Sequence, residues 1–140
     1  MSILVTGGAG YIGSHMVSVL AREGRSPVVI DNLLTGHRDA LPEAVPLLVA
    51  DVADRAKVTA FLREHRVRSV MHFASRIQVA ESVTDPRLYY TGNLAASVAL
   101  VEACLDAGVR HFILSSTAAV YGTPARVPIP EELPPEPINP

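Results

Sequence analysis

A glycine-rich turn between a short apolar run and a helical pattern constrains this chain more than any other feature. Ile3 to Val5 have the composition of a buried strand, and Gly7, Gly10 and Gly13 follow closely. Apolar residues then recur at helical spacing from Tyr11 to Arg22. The order predicts a strand, a tight turn and a helix N-terminus, where the backbone can approach a ligand with no Cβ in the way.

The first turn of such a helix carries backbone N–H groups without partners in the helix, backed by the positive end of the helix dipole. This arrangement suits phosphate, so the turn predicts a pyrophosphate site. A second apolar run, Val28 to Ile30, ends on Asp31, about 20 residues past the turn, where a carboxylate can accept hydrogen bonds from ribose hydroxyls. Together these signals predict a bound dinucleotide, and the charge of Asp31 favours NAD over NADP. A glycine turn alone would also suit an ordinary strand-to-helix connection.

Composition predicts one globular domain with no strongly charged surface. The 140 residues are 49% hydrophobic with a net charge of -2, which allows a sizeable core. Arginines make up eleven of the twelve basic residues and are scattered, so no nucleic acid partner is expected. The histidines and the single cysteine have no metal-ligand spacing, and Cys104 is predicted to be a buried thiol. We expect no leader, no stretch long enough to span a bilayer and a cytoplasmic location.

Strand and helix patterns alternate along the rest of the chain. They are a loop from Asn32 to Pro42, a strand from Pro46 to Ala50, a helix from Arg55 to His65 capped by Asp54, a strand from Val70 to Phe73, a helix from Pro86 to Ala107 ended by Gly108, and a strand from Phe112 to Ser115. This order predicts an α/β fold, a Rossmann-type doubly wound parallel sheet with strand order 3-2-1-4-5. The ligand is expected across the carboxyl ends of the strands.

The composition changes near the end of the chain. Seven of the eleven prolines lie between Pro124 and Pro140, which predicts an extended segment over residues 123–140 after a regular α/β part over residues 1–122. The whole of residues 1–140 is interpreted as one partial nucleotide-binding domain. Because a parallel sheet needs both faces covered, and no element follows to cover the fifth strand, the domain is expected to be truncated.

Eight stretches together carry a family resemblance. They are Val5–His15, Asp31–Leu33, Asp51–Val52, His72–Ala74, Glu81–Ser82, Pro86 with Tyr89–Tyr90, Asn93, and Ser115–Gly122. They resemble the extended short-chain dehydrogenase/reductase family, and within it the UDP-glucose 4-epimerases. The likeness runs the whole length of the chain but covers less than half of a usual family member.

The resemblance implies an NAD site. Its residues would be Gly7, Gly10, Tyr11, Ile12 and Gly13 at the pyrophosphate, Asp31, Asn32, Leu33, Leu34, Thr35 and Gly36 around the adenosine ribose, Asp51 and Val52 at the adenine, and Phe73, Ala74, Ser75, Asn93 and Ser115 on the nicotinamide side. Judged from the residues alone, Asp51 could instead be an acid in a loop leading to a helix. Asn93 could likewise be a polar residue on a helix surface.

The resemblance also implies a reaction. Thr117 would be catalytic and substrate-binding, with its hydroxyl bonded to the sugar oxygen as hydride leaves; the alternative is that it caps the strand end. Related dehydratases carry an Asp–Glu pair where this chain has Ala118–Ala119, so dehydration is not expected. The implied reaction is epimerisation of UDP-glucose and UDP-galactose at C4 through a 4-keto sugar. The alternatives are another NDP-sugar epimerase or reductase, such as a UDP-glucuronate 4-epimerase, or a non-catalytic NAD-binding fragment.

Two departures from the family pattern matter. Ile77 stands in a segment where family members often have a lysine. The family's catalytic Tyr-x-x-x-Lys is absent, and Tyr121 is followed four residues later by Ala125, so Tyr121 is predicted to be structural. The 140-residue chain alone is therefore expected to have no turnover. His15 and His72 are expected to pack or support the site, and the resemblance implies a homodimer for the full-length protein.

Overall fold

A computed structural model describes residues 1–140 and contains one five-stranded sheet. Its strands are β1 (Ser2–Thr6), β2 (Ser26–Asp31), β3 (Leu47–Val49), β4 (Val67–His72) and β5 (His111–Leu114). Neighbouring strands are parallel, and their order is β3-β2-β1-β4-β5. The predicted fold class and strand order are confirmed. The order reverses between β1 and β4, which places a crevice at their carboxyl ends.

Helices cover both faces of the sheet around β1, β2 and β4, whereas all four residues of β5 are exposed. The helices are α1 (Tyr11–Arg22), α2 (Arg55–Glu64), α3 (Val79–Thr84), α4 (Pro86–Tyr89), a π-helical turn (Tyr90–Ala95) and α5 (Ala96–Ala107), with 3-10 turns at Arg38–Ala40 and Ala118–Tyr121. α1 has the predicted bounds. Asp54 caps α2 by accepting a hydrogen bond from the Lys57 amide at 3.2 Å. Gly108, at φ 73°, ends α5 as expected.

Several element bounds differ from the sequence prediction. β4 begins three residues before the predicted Val70, because the turn at Arg66 (φ 51°) starts the strand directly after it. β4 ends at His72 rather than Phe73, and β5 spans His111–Leu114 rather than Phe112–Ser115. β3 is two residues shorter than predicted, α2 ends at Glu64, and the short helix α3 was missed. Residues 86–107 form the predicted helical stretch, but a π-helical turn divides it.

The core has two parts, one on each face of the sheet. The larger lies under α2 and α5 and includes Leu4, Leu62 and Leu100; the smaller lies under α1 and includes Val5 and Val17. Consecutive β1 residues thus point to opposite faces, as the pleat requires. The larger cluster contains the residues predicted on the inner face of α2, Val58, Phe61 and Leu62, and also Cys104. Burial raises the pKa of the Cys104 thiol to about 11.

One expectation about the chain's apolar stretches was wrong. The 22 residues from Pro86 to Ala107 are long and apolar enough to cross a membrane by length and composition. In this structure one side of the stretch packs in the larger core cluster through Ala96, Leu100 and Ala103. A core helix meets the same length and composition test, so the finding does not indicate a membrane span.

Candidate cofactor site at the carboxyl ends of the strands

The glycine turn after β1 forms the centre of the candidate site. Gly10 is the N-cap of α1 and supplies no side-chain hydrogen bond, so the first-turn amides have no side-chain cap. Gly7 has φ 66°, and a Cβ there would lie 2.8 Å from the Ala74 nitrogen. A Cβ on Gly13 would overlap the Gly7 carbonyl oxygen. The glycines therefore leave an open space beside the first turn of α1, where the backbone amides have no side-chain partner. A larger side chain at these positions would not fit.

Asp31 joins the end of β2 to this glycine turn. Its Oδ2 accepts from the Ala9 amide at 2.9 Å, and its Oδ1 accepts from the Leu33 amide at 2.8 Å. The residue is 7% exposed. Because a carboxylate oxygen can accept more than one hydrogen bond, Asp31 can still accept from a sugar hydroxyl. The two backbone bonds hold it in one orientation.

The loop after β2 lies beside the same turn. The His37 amide donates to the Ala9 carbonyl oxygen at 3.0 Å, and Asn32 Oδ1 accepts from the Leu34 amide at 3.1 Å. Leu34 and Thr35 are exposed along this loop. The structure therefore brings the predicted ribose-side residues together at one rim.

The two residues predicted at the adenine have other contacts. Asp51 Oδ1 accepts from the Ala53 amide at 2.8 Å, which stabilises the turn leading into α2, as in the alternative left open from the sequence. The residue is exposed, and its Oδ2 is free to meet a ligand. Val52 is 7% exposed and belongs to the larger core cluster, so only its backbone can face a ligand.

A cavity of about 290 Å³ opens on the other side of the glycine turn. It is lined by His72, Phe73, Ala74, Ser75, Asn93, Leu94, Ser97, Leu114 and Ser115. Five of these residues were predicted for the nicotinamide side. Leu94, Ser97 and Leu114 were missed, although Ser97 follows Asn93 by four residues and so had the spacing of the same helix face.

Two residues that were predicted on this side already make hydrogen bonds within the protein. The Asn93 carboxamide is hydrogen-bonded to the backbone of Arg76, at the loop that follows β4. Thr117 does not line the cavity, and its Oγ1 accepts from the Ala119 amide at 3.1 Å, capping the 3-10 turn. That contact is the capping alternative, but the exposed hydroxyl keeps its proton for a ligand oxygen.

Burial favours the neutral form of two side chains, His72 and Tyr89. His72 is 3% exposed and lies between the hydroxyls of Thr6 and Ser97, and burial lowers its pKa. The Tyr89 hydroxyl donates to Glu81 Oε2 at 2.6 Å, and burial, aided by Glu81, raises the pKa of Tyr89. A raised pKa disfavours a tyrosinate, so Tyr89 is a poor general base.

Comparison with known proteins finds one matching family model and several longer relatives. Residues 3–140 match the model of the NAD dependent epimerase/dehydratase family. UDP-glucose 4-epimerase of Azospirillum brasilense is 51% identical over 138 residues, covering 99% of this chain and 40% of that protein. A crystal structure of a UDP-glucose 4-epimerase aligns with TM-score 0.96 at 42% identity, over 99% of this chain and 42% of its own.

A further solved structure carries the cofactor. UDP-glucose 4-epimerase from Brucella ovis, in complex with NAD, aligns with TM-score 0.94 at 40% identity. The alignment covers 99% of this chain and 42% of that protein. The chain thus spans about two fifths of the length of the relatives it matches.

Proposed function

Because this chain belongs to the NAD dependent epimerase/dehydratase family, we propose that it is the NAD-binding part of a UDP-glucose 4-epimerase. One observation carries the proposal: an uncapped helix N-terminus, the fixed carboxylate of Asp31 and a cavity of about 290 Å³ adjoin the same switch point of the sheet. The 51% identity to a UDP-glucose 4-epimerase supports the substrate class.

The cofactor residues are assigned by the chemistry of their atoms. The amides of Tyr11 and Ile12 at the start of α1 would hold the pyrophosphate, and Asp31 would accept from the adenosine ribose. The wall formed by Phe73, Ala74 and Ser75 would lie along the nicotinamide ribose. The remaining proposed contacts are Gly7, Gly10, Gly13, Asn32, Leu33, Leu34, Thr35, Gly36, Asp51, Val52, Asn93 and Ser115. When bound, NAD supplies a hydride acceptor and donor at C4 of the sugar.

This chain's own contribution to the reaction is positional. The Thr117 hydroxyl would form a hydrogen bond to the oxygen on C4 of the sugar. The contact would persist as the sugar hydroxyl loses its proton and C4 is oxidised to a ketone. No tyrosine in residues 1–140 has a lysine four residues later. We therefore propose that the 140-residue polypeptide alone binds NAD without turning over UDP-galactose, and that the base comes from chain beyond these residues.

The test uses the full gene product that contains these residues. Mass spectrometry of the denatured protein should release NAD, and incubation with UDP-galactose should yield UDP-glucose. UDP-glucuronate serves as the alternative substrate, because its carboxylate differs from the C6 hydroxymethyl group. Turnover of UDP-glucuronate with none of UDP-galactose would replace the assignment, and NAD release with no turnover of either would favour a non-catalytic binding module.

The proposal includes a homodimer of the full protein. Apolar side chains are exposed at helical spacing along the 86–107 stretch, namely Tyr90, Leu94, Val98, Val101 and Leu105. A row of this kind supports a helix-to-helix contact, since such a face gains by burial. Light scattering on the full product tests it, and a monomer would overturn it.

A cytoplasmic location is also part of the proposal. Cys104 is the single cysteine and is buried, which fits a compartment where structural disulfides are rare. Cell fractionation tests the location, and recovery in a membrane or secreted fraction would contradict it.

A further inference from the structure

We propose that His72 is a positioning residue for the cofactor site, joining the glycine turn, the end of β4 and the start of α5 into one unit through Thr6 and Ser97. This inference rests on the proposed NAD site for its ligand. The mechanism above gives His72 no role, and the sequence goes no further than an expectation that this residue packs or supports the site.

Three structural elements meet at one imidazole ring. His72 ends β4, and its Nδ1 lies 2.6 Å from the hydroxyl oxygen of Thr6, the last residue of β1. Its Nε2 lies 2.9 Å from the hydroxyl oxygen of Ser97, the second residue of α5. Thr6 is followed directly by Gly7, where the glycine turn begins. The ring therefore spans from the pyrophosphate turn to the helix on the nicotinamide side.

Both ring nitrogens are used by the protein. A neutral imidazole offers one donor and one acceptor, and a hydroxyl can take either role, so both contacts are satisfied with no charge on the ring. Burial lowers the pKa of His72 and so favours this neutral form. With 3% exposure and no free nitrogen, His72 has nothing to offer a substrate directly. A ring that only filled space would not need two polar partners.

The Thr6–His72–Ser97 bridge lies next to the backbone that forms the proposed cofactor site. The Phe73 amide donates to the Thr6 carbonyl oxygen at 3.1 Å, and the Ala74 amide lies 3.5 Å from Thr6 Oγ1. Gly7 is packed so closely on Ala74 that a Cβ would come within 2.8 Å of its nitrogen. His72 and Ser97 also line the cavity of about 290 Å³. Loosening the bridge would shift the pyrophosphate turn relative to that cavity.

The decisive experiment is a double-mutant cycle on NAD affinity, measured by calorimetry on the full gene product. Thr6→Val and Ser97→Ala remove the two ends of the bridge, and no hydrogen bond joins these residues directly. Each is expected to weaken NAD binding about five-fold, the equivalent of one ordinary hydrogen bond. The double variant should weaken it by less than the product of the two, because a ring released at one end no longer transmits the other contact.

Three further variants make the cycle specific to the ring. In a His72→Phe background the coupling between Thr6→Val and Ser97→Ala should vanish. If that background does not fold, His72→Asn and His72→Gln replace it. The amide of Asn can reproduce the Thr6 contact, and that of Gln can reproduce the Ser97 contact, so each should lose sensitivity to one end only. Additive effects, or unchanged NAD affinity in folded variants, would overturn the proposal.

Matched controls remove other hydroxyls from the same chain. Thr59→Val removes a buried hydroxyl that has no partner, and Ser18→Ala removes an exposed one on α1. Neither should change NAD affinity. A five-fold loss in either control would show that hydroxyl removal acts through general loosening, and it would count against the bridge.

A second readout separates this inference from the proposed function. Amide hydrogen exchange of Ser97→Ala, without NAD, should speed exchange at the glycine turn as well as in α5. A purely local role for Ser97 would change α5 alone, which would overturn the bridge. If wild-type protein bound no NAD, the proposed function would fail, yet the exchange experiment would still decide whether His72 couples the elements.

Discussion

The side chain of Asn93 makes two hydrogen bonds to the backbone of Arg76. Asn93 Oδ1 accepts from the Arg76 amide at 2.8 Å, and Asn93 Nδ2 donates to the Arg76 carbonyl oxygen at 3.1 Å. The Arg76 side chain runs over Gly92, where a Cβ would lie 3.1 Å from its Nε. The π-helical turn that carries Asn93 thus fixes the loop after β4, and with it the wall of the cavity.

Asn93→Asp should weaken NAD binding by about ten-fold and also lower the melting temperature by several degrees. The carboxylate can still accept from the Arg76 amide, but it faces the Arg76 carbonyl oxygen without a proton to donate, a loss of about 1–3 kcal/mol. Calorimetry and thermal melting together measure the two effects. Thr91→Ala, on the same turn and exposed, is the control expected to leave affinity unchanged. Equal NAD affinity for Asn93→Asp and wild type would mean that the two hydrogen bonds between Asn93 and Arg76 do not support NAD binding.

Asp31→Asn should reduce both NAD affinity and the preference for NAD over NADP. The amide group of Asn would turn an N–H donor towards the backbone amide of Ala9 or Leu33, each of which needs an acceptor. The loss of one charge-assisted hydrogen bond should cost about 1.5–3 kcal/mol of free energy. Titration with both cofactors gives the ratio of affinities. Asp39→Asn, an exposed acid in the 3-10 turn nearby, should keep the wild-type ratio; an unchanged ratio in Asp31→Asn would refute the assignment.

Gly7→Ala should destabilise the protein more than Gly24→Ala does. Both glycines have positive φ, 66° and 68°, so both substitutions carry a backbone cost of about 1–2 kcal/mol. At Gly24 a Cβ would meet nothing within 4 Å, whereas at Gly7 it would meet the Ala74 backbone at 2.8 Å. Urea unfolding should therefore rank Gly7→Ala as the less stable variant, and NAD binding should survive only in Gly24→Ala. Equal unfolding free energies would mean that the turn tolerates the Cβ.

The free energy of unfolding should fall as the pH drops below about 6.5, the ordinary pKa of histidine. Burial lowers the pKa of folded His72, so the unfolded chain binds the proton first and gains stability relative to the folded one. The stabilisation is complete above the unfolded pKa and is lost as the pH falls towards the folded pKa. For one titrating group, the free energy of unfolding can change with pH by at most about 1.4 kcal/mol per pH unit.

The measurement compares wild type with His72→Gln at several pH values, so that contributions common to both proteins cancel. The difference in unfolding free energy between the two should shrink as the pH falls from 7 to 5. A difference that stays constant over this range would mean that His72 titrates alike in both states.

The sheet order and the glycine turn could be predicted because each is set by short local signals. An apolar run, a glycine turn and a helical period identify β1 and α1 without knowledge of distant contacts. The end of β2 at Asp31 follows similarly from one acid after three apolar residues. Local patterns could not predict α3, whose six residues expose Val79 and Val83 and lack a clear apolar stripe.

The candidate site was predicted less completely, because its side chains choose between ligand and protein partners. The positions of Asn93 and Thr117 were expected near the site, but only the structure reveals that Arg76 and Ala119 already occupy part of their hydrogen-bonding capacity. Ser97 was missed because a serine within an apolar helix resembles an ordinary surface residue. Its contact with His72 spans 25 residues of sequence and has no local signature.

The π-helical turn at Tyr90–Ala95 makes the two halves of this stretch unequally sensitive to a change of length. A π turn holds one residue more than an α turn, so deleting one residue within 90–95 can return the stretch to regular α-helix and leave α5 in its present orientation. A deletion at residue 98 or 99 has no extra residue to remove and would rotate everything downstream by about 100°, which would swing Leu100 and Cys104 out of the core. Single-residue deletions within 90–95 should thus be much milder than deletions at the start of α5.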